Sequence, residues 1–259
     1  MAEESSVNQS LNKALDILNY FDEKNPSRGL SQLAKVSGYP KATVYRILNT
    51  FEKNGFLRKV HIDGKANQYE LGIRFLELGS IVSENLEIVD VARPFMKELR
   101  DNINEDVQMV MREENHVYYV EKFMCSHPVR LFTKKGRKAG FTAGACPRAI
   151  LSFLDDHEIN ILLGEEEFIK YTEGTIVEKE KLWHMIRESR EVGYTISYGE
   201  MEAHTIGIGV PIYDYKENVV GAISIAGPDQ RFTKDKLPYL IEKTLNTANS
   251  ISRALGYRG

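Results

Sequence analysis

Apolar residues recur at helical spacing in three short segments near the start of the chain. The first segment runs from about Gln9 to Glu23, and its pattern predicts an amphipathic helix. A second, shorter helix is predicted to begin at Ser31, because a serine side chain is a good N-cap. Pro40 favours the start of a third helix. The pattern therefore indicates a small bundle of three helices.

The third helix has one apolar face and one polar face. Its apolar stripe has the spacing of a helix that faces a core, and it comprises Val44, Ile47, Leu48 and Phe51. The opposite face carries Ala42, Arg46, Asn49 and Lys53, with Tyr45 beside them. We therefore expect one side of this helix to be buried and the other to offer hydrogen-bond donors to a partner.

Apolar and polar residues alternate in the stretch that follows Gly55, which reads FLRKVHIDGKANQYEL. Asp63-Gly64 lies between its two halves, and this dipeptide between alternating segments is a strong signal for a β-hairpin. Three helices followed by a hairpin indicate a winged helix-turn-helix domain over residues 1–71. In such a domain the third helix enters the major groove of DNA, and the hairpin, or wing, follows the backbone. The same elements occur in protein-interaction modules, which stay open as an alternative.

The cations of the chain are concentrated in this N-terminal region. The net charge of the whole chain is -3, but residues 27–66 contain eight Lys or Arg residues and two Asp or Glu residues, a net +6. A basic segment on an acidic protein is expected of a surface that binds DNA phosphates. The predicted DNA-binding residues are Ser31, Lys41, Thr43, Tyr45, Arg46 and Asn49 of the helices, and Arg58, Lys59 and Lys65 of the wing.

These residues are expected to play different roles. Arg46 is the best candidate for reading guanine, because its guanidinium can donate two parallel hydrogen bonds to one base. Lys41 and Thr43 lie at the N-terminal end of the third helix, where they would meet base edges or phosphates. The three wing cations would bind phosphates, which position the protein without carrying sequence information.

The pattern changes after the N-terminal domain. Residues 72–88 are predicted to form a linker helix between two domains. From residue 89 to 259, sequence-adjacent strands alternate with helices, and the predicted strands include the hairpin VQMVMREENHVYYVEKF and the segments VRLFTKK, YTISY, TIGIGVPIYDY and VVGAISIAG. This order predicts an α+β domain with a mainly antiparallel sheet.

A helix that starts around Cys146 is the clearest candidate ligand site in the second domain. Its first backbone N–H groups have no intrahelical acceptor, and a helix N-terminus favours negative charge, so this position suits a carboxylate. Arg148 is a candidate for a further positive charge. Small residues at Gly207 and at 224–226 would leave room for a ligand above the sheet.

Six strings carry a resemblance that runs nearly end to end: SLNKALDILNYF, LSQLAKVSGYPKATVYRILNTFEKNGFL, YELGIRFLELG, REVGYTISYGE, GVPIYD and VVGAISIAGP. They resemble the IclR (isocitrate lyase regulator) family of bacterial transcription regulators. Lys41, Thr43 and Arg46 fall where the family usually has these residue types, and Ala42 replaces a common Ser. The resemblance implies a homodimer or homotetramer that binds inverted-repeat DNA.

The resemblance also implies an effector domain related to the GAF and profilin-like α/β folds. Residue by residue, the family's effector pocket maps to Ala145, Cys146, Ser197, Gly207, Ser224 and Ala226. The chain departs from the family at Pro147-Arg148, where Gly-Lys is usual, and at His204, where Gly is usual. The leading hypothesis is a transcriptional regulator, such as a repressor, that responds to a small metabolite, for example an organic acid or an aromatic-derived compound.

The composition limits which other classes of protein and which kinds of site are possible. Cys125 and Cys146 are too few for a disulfide framework or a four-thiolate zinc site, and we expect no metal and no cofactor. The chain has no run of 18 apolar residues and no secretory segment, so we expect a cytoplasmic protein without a membrane span. Two alternatives stay open: an enzyme with an accessory helix-turn-helix and Cys146 as nucleophile, and a DNA-binding protein whose C-terminal domain only oligomerises. Glu200 and Glu202 are expected to be solvated.

Overall fold

A computed structural model describes residues 8–22, 24–61, 67–84, 87–131, 133–165 and 168–259 of the chain. It divides into two compact units, Met1–Asn85 and Leu86–Gly259. Among the described residues, no helix is both long enough and apolar enough to cross a membrane.

The N-terminal unit contains four helices and a small antiparallel sheet in its described residues. Its elements are α1 (Gln9–Leu18), β1 (Ser27–Gly29), α2 (Leu30–Ser37), α3 (Lys41–Lys53), β2 (Leu57–Val60), β3 (Gln68–Leu71) and α4 (Arg74–Glu84). The three strands have the order β1-β3-β2. Side chains from the first three helices and the sheet form one core, which includes Ile17, Leu33, Val44, Leu48 and Leu57. The predicted winged helix-turn-helix is confirmed.

Local hydrogen bonds explain where this unit differs from the prediction. The predicted N-cap at Ser31 is wrong, because α2 begins at Leu30 and its N-cap is Gly29. The backbone N–H of Gly29 donates to Oε1 of Gln32 at 2.8 Å, so a glutamine side chain satisfies the helix start instead of a serine hydroxyl. The predicted turn at Asp63-Gly64 and the wing residue Lys65 lie outside the described residues.

The C-terminal unit is built on one six-stranded sheet. Its elements are α5 (Glu87–Ile103), β4 (Asp106–Glu113), β5 (His116–Phe123), β6 (Lys138–Ala139), α6 (Ala145–Ser152), α7 (Asp156–Glu165), α8 (Lys179–Val192), β7 (Thr195–Tyr198), β8 (Thr205–Tyr213), β9 (Val219–Pro228) and α9 (Leu237–Ala254). The strand order is β6-β5-β4-β9-β8-β7, and every pairing is antiparallel. The predicted α+β class with an antiparallel sheet is confirmed.

Helices cover both faces of this sheet. On one face, Met96 of α5 and Ile251 of α9 share a core with Ile208 and Ile225 of the sheet. On the other face, α6, α7 and α8 pack over a second core that includes Ala222 of β9. Because side chains alternate along a strand, neighbouring residues of β9 belong to different cores.

One predicted strand is wrong. The segment VRLFTKK, residues 129–135, contains no strand among its described residues, and β6 begins three positions later, at Lys138. Side chains occupy the backbone acceptors of this segment. Arg231 Nη1 donates to the carbonyl of Val129 at 3.0 Å, and Lys122 Nζ donates to that of Leu131 at 2.9 Å. These hydrogen bonds tie the segment to β5 and to the turn that follows β9.

The start of α6 lies directly against β8, at Gly209. A Cβ atom at Gly209 would be 2.3 Å from the carbonyl oxygen of Ala145, so only glycine permits this contact. The hydroxyl of Thr195 on β7 donates to the same carbonyl at 2.7 Å. A close approach and one hydrogen bond therefore fix the start of α6 on the sheet.

We expect Gly209→Ala to destabilise the protein by about 1–3 kcal/mol, the usual cost of forcing extra volume into a packed core. Gly164→Ala in α7 is the matched control, because a Cβ there meets open space and alanine favours helix by up to about 1 kcal/mol. The measurement is the free energy of unfolding in urea. An unchanged value for Gly209→Ala would show that α6 is not held as described.

Candidate functional sites

The polar face of α3 is exposed, as its pattern predicts. Val44 and Leu48 are completely buried, whereas Lys41, Tyr45 and Arg46 are exposed. Within the described part of the chain, the side chains of Lys41 and Arg46 have no hydrogen-bond or ion-pair partner. These two cations are therefore available to an external anion.

Two grooves flank α3, and the predicted DNA-binding residues divide between them. One groove lies between the starts of α2 and α3 and the wing, and it is lined by Ser31, Lys41, Tyr45 and Lys59. The other lies between α1 and α3, and it is lined by Thr43 and Arg46 together with Asn8 and Lys13. Asn49 lines neither groove and is half-buried. The predicted residues of α3 thus lie along an arc of the helix that spans both grooves.

Two of the three predicted wing cations, Arg58 and Lys59, lie within the described residues, and both form ion pairs. Arg58 Nη2 lies 2.6 Å from Glu70 Oε2, and Lys59 Nζ lies 3.3 Å from Glu52 Oε2. The hydrogen bond to Glu52 raises the pKa of Lys59 above its ordinary value. Sequence reasoning did not predict these pairs, although the register that places Arg58 opposite Glu70 follows from the alternation of the wing.

A cavity in the C-terminal unit lies between the start of α6 and the sheet. All six residues predicted for the effector pocket line it, namely Ala145, Cys146, Ser197, Gly207, Ser224 and Ala226. The strand register explains why they meet. Ser197, Gly207 and Ala226 are direct partners across β7, β8 and β9, so they share one row of the sheet. Ser224 lies two residues before Ala226 and therefore on the same face.

Other residues that the sequence did not indicate also line the cavity. They include Gln108 of β4, Tyr119 of β5, Thr133 and Arg137 from the segment between β5 and β6, and Glu202 from the segment between β7 and β8. Gln108 is the cross-strand partner of Ser224. Burial raises the pKa of the Tyr119 hydroxyl, so this group stays protonated and can donate a hydrogen bond.

The cavity is small. Its volume is about 60 Å³. Since one water molecule needs about 10–15 Å³ of such space, the cavity as it stands has room for about four to six non-hydrogen atoms. The hydroxyls of Ser197 and Ser224 and the first N–H groups of α6 provide polar partners for a molecule of that size.

Arg148 is not a cation of this cavity, contrary to expectation. Its side chain is completely buried, and its Nη1 lies 2.5 Å from Oε2 of Glu200. The same carboxylate oxygen accepts a hydrogen bond from the backbone N–H of Gly144 at 3.0 Å. Glu200, which was expected to be solvated, is 2% exposed. The cation that lines the cavity is instead Arg137.

The environment of Cys146 does not favour a nucleophile. The thiol is buried, and burial raises its pKa to about 12. Its Sγ lies 3.5 Å from the carbonyl oxygen of Ala222 and donates to it. Because the thiolate is the reactive form, this environment counts against the hypothesis of an enzyme with Cys146 as nucleophile.

The comparisons with known families agree with this geometry. Residues 10–61 match the IclR helix-turn-helix domain, and residues 81–253 match the C-terminal part of the bacterial transcriptional regulator IclR. The two matches define the class as a helix-turn-helix transcriptional regulator with a C-terminal effector domain. The chain belongs to the IclR family, and the resemblance seen in the sequence is confirmed.

Individual relatives span almost the whole chain. The transcriptional regulator KipR of Bacillus subtilis is 43% identical over 250 residues, which cover 96% of this chain and 98% of KipR. The transcriptional repressor AllR of Escherichia coli is 28% identical over 253 residues, 96% of this chain and 91% of AllR.

Solved structures share the fold at similar coverage. The IclR protein of Thermotoga maritima has a TM-score of 0.75 at 25% identity, over 96% of this chain and 99% of that one. An IclR homologue from Microbacterium hydrocarbonoxydans, solved in complex with 4-hydroxybenzoate, has a TM-score of 0.79 at 23% identity, over 95% of this chain and 98% of its own.

We expect the Cys146 thiol to resist alkylation in the folded protein. Burial raises the pKa of this thiol to about 12, so little thiolate is present at pH 8 and iodoacetamide should modify the native protein far more slowly than the protein in urea. Mass spectrometry of the Cys146 peptide measures the rate of alkylation. A Cys146→Ser variant shows which part of the total modification belongs to the other cysteine, Cys125. Fast alkylation of native Cys146 would restore the nucleophile hypothesis.

Proposed function

We propose that this regulator binds inverted-repeat operator DNA through α3 and the wing, and that a small carboxylic acid in the α6 cavity controls this binding. The observation that carries the DNA part is that two exposed cations of α3, Lys41 and Arg46, have no hydrogen-bond or ion-pair partner among the described residues, on a helix whose other face is buried. A helix of this kind fits the major groove, where an arginine can donate two hydrogen bonds to guanine.

The wing completes the proposed DNA interface. Arg58, Lys59 and Lys65 contact phosphates on either side of the groove that α3 enters, and Ser31, Tyr45 and Asn49 add hydrogen bonds near the helix. Phosphate contacts of this kind provide affinity that falls as salt rises. Base contacts from Arg46, Lys41 and Thr43 provide the preference for one sequence.

The chemistry of the cavity supports a small organic acid as effector. The first N–H groups of α6 favour a carboxylate, and Ser197, Ser224 and Gln108 offer hydrogen bonds to its oxygens. Arg137 adds a positive charge at the lining, to which Glu202 also contributes a negative charge. The volume suits an acid of a few heavy atoms, and a larger ring, such as the 4-hydroxybenzoate bound by the Microbacterium relative, would require side chains to move.

Control is proposed to act by a population shift. Residues 1–71 would form the DNA-binding domain, residues 72–88 a linker helix, and residues 89–259 the effector-binding and oligomerisation domain. The protein would form a homodimer or homotetramer in the cytoplasm. An effector that binds one arrangement of the C-terminal domains more tightly than another would change the spacing of the DNA-binding domains. The effector then changes the affinity of the protein for the operator, and the operator changes the affinity of the protein for the effector by the same factor. The protein acts as a repressor without enzymatic activity.

We expect Arg46→Ala to weaken binding to the operator by about 1–3 kcal/mol, the value of one good base contact, and to relax the preference at one base pair. The operator is obtained by selection from fragments of the protein's own chromosome, and fluorescence anisotropy measures the affinity. Arg253→Ala is the control, because it removes the same charge from an exposed position on α9. Equal affinities for the two variants would exclude Arg46 as the reader of a base.

We expect Ala226→Leu to fill the cavity and to lower effector affinity by at least about tenfold, since added methyl groups are poorly tolerated in a fitted pocket. Calorimetric titration of the full-length protein with a panel of small carboxylic acids and 4-hydroxybenzoate measures this. Ala254→Leu, at an exposed position at the end of α9, is the matched control.

The same titration separates the candidate functions. If the wild-type protein bound no acid of the panel, the result would favour a C-terminal domain that only oligomerises. If an acid bound the wild type and Ala226→Leu equally well, the effector site would lie elsewhere.

A further inference from the structure

The cations of the proposed DNA interface fall into two groups. Arg46 of α3 has no partner in the part of the chain that the structure describes. In contrast, Arg58 and Lys59 of the wing are already paired, with Glu70 at 2.6 Å and Glu52 at 3.3 Å. A phosphate that approaches α3 meets a free cation, whereas a phosphate that approaches the wing must first displace a carboxylate.

The fold builds both wing pairs. Arg58 and Glu70 are direct partners in the register of β2 and β3, so the sheet holds them opposite each other. Lys59 points to the other side of the same strand, where its Nζ lies between the carboxylate of Glu52 on α3 and the ring of Tyr69, 5.5 Å from the ring centroid. Neither pair depends on a chance encounter of long surface side chains.

Both pairs can be reached by solvent, the Arg58 pair more easily than the Lys59 pair, in which the two side chains are 30% and 35% exposed. The side chain of Arg58 is 68% exposed, so it can rotate from Glu70 to an external anion without crossing the core. Exposed pairs of this type are weak, and each one corresponds to a factor of about two to five in an equilibrium constant at most. DNA phosphates can therefore break these ion pairs, but the affinity of the protein for DNA is then lower by a factor of that size.

We propose that Glu70 and Glu52 are intramolecular competitors of DNA phosphate, and that they lower the affinity of the wing for every duplex without changing base reading by α3. This inference rests on the proposed function, because it requires Arg58 and Lys59 to be phosphate contacts. Phosphates carry no sequence information, so the effect is the same for operator and non-operator DNA.

The test compares full-length Glu70→Gln and Glu52→Gln with Glu77→Gln. Glu77 pairs with Arg74 on α4 at 2.6 Å, so Glu77→Gln makes the same change in net charge but frees no wing cation. Fluorescence anisotropy with a random-sequence duplex, over a range of NaCl concentrations, gives the affinity and its salt dependence. We expect both wing variants to bind about two- to fivefold more tightly than Glu77→Gln, with a salt slope steeper by up to about one unit.

A second set of variants links the effect to Arg58. Arg58→Ala should weaken binding to the duplex, and adding Glu70→Gln to Arg58→Ala should then give no more gain than adding Glu77→Gln. If the two wing carboxylate variants bind no more tightly than Glu77→Gln while Arg58→Ala still weakens binding, the proposal is overturned and the wing remains a DNA contact. If Arg58→Ala and Lys59→Ala also leave binding unchanged, the proposed role of the wing fails as well.

Discussion

The contact between the start of α6 and Gly209 is the constraint on which the cavity of the C-terminal unit depends. The carbonyl of Ala145 occupies space that a Cβ atom at Gly209 would need, and the hydroxyl of Thr195 holds it there. Two residues earlier on β8, Gly207 again has no side chain, and its partner Ala226 has a single methyl group. A Cβ atom at Gly207 would also lie 3.3 Å from the Cβ atom of Ala145, so the start of the helix packs closely on both glycines of β8. The gap that remains is the cavity.

Elements with a strong local pattern could be predicted from the sequence. The stripe from Val44 to Leu48 determines which side of α3 is buried, and alternation along β8 and β9 determines which residues share a face. Tyr119 and Gln108 could not be predicted as cavity residues from such patterns. They reach the cavity only because the sheet order places β4 next to β9, with β5 on the far side of β4, and the pairing of β4 with a strand so distant in the chain leaves no local signal.

The wrong predictions for the segment VRLFTKK, for Arg148 and for Glu200 share a physical cause. Strand-like composition in VRLFTKK indicated a strand, but side chains of Arg231 and Lys122 occupy the carbonyls of that segment. The sequence indicated Arg148 as a candidate cation for the ligand and Glu200 as a solvated charge, because the partner that permits burial of each one is distant in sequence. Secondary-structure propensity describes the conformation that a segment favours in isolation. Here, hydrogen bonds from remote side chains decide the outcome, and these become visible only when the chain has folded.

Burial separates the ion pairs of this protein into two physical kinds. Arg148 and Glu200 are both almost fully buried, so breaking their pair would leave a charge without water, and their interaction acts as a fixed part of the architecture beside the cavity. Arg58 is exposed and Glu70 is half-buried, so water and external anions can compete with Glu70 for the guanidinium of Arg58 at little cost in free energy. A regulator must keep its ligand pocket in shape while it binds and releases DNA. The buried pair is suited to the first task, and the exposed wing pairs are suited to the second, because only an exposed cation can exchange one anionic partner for another without disturbing the fold.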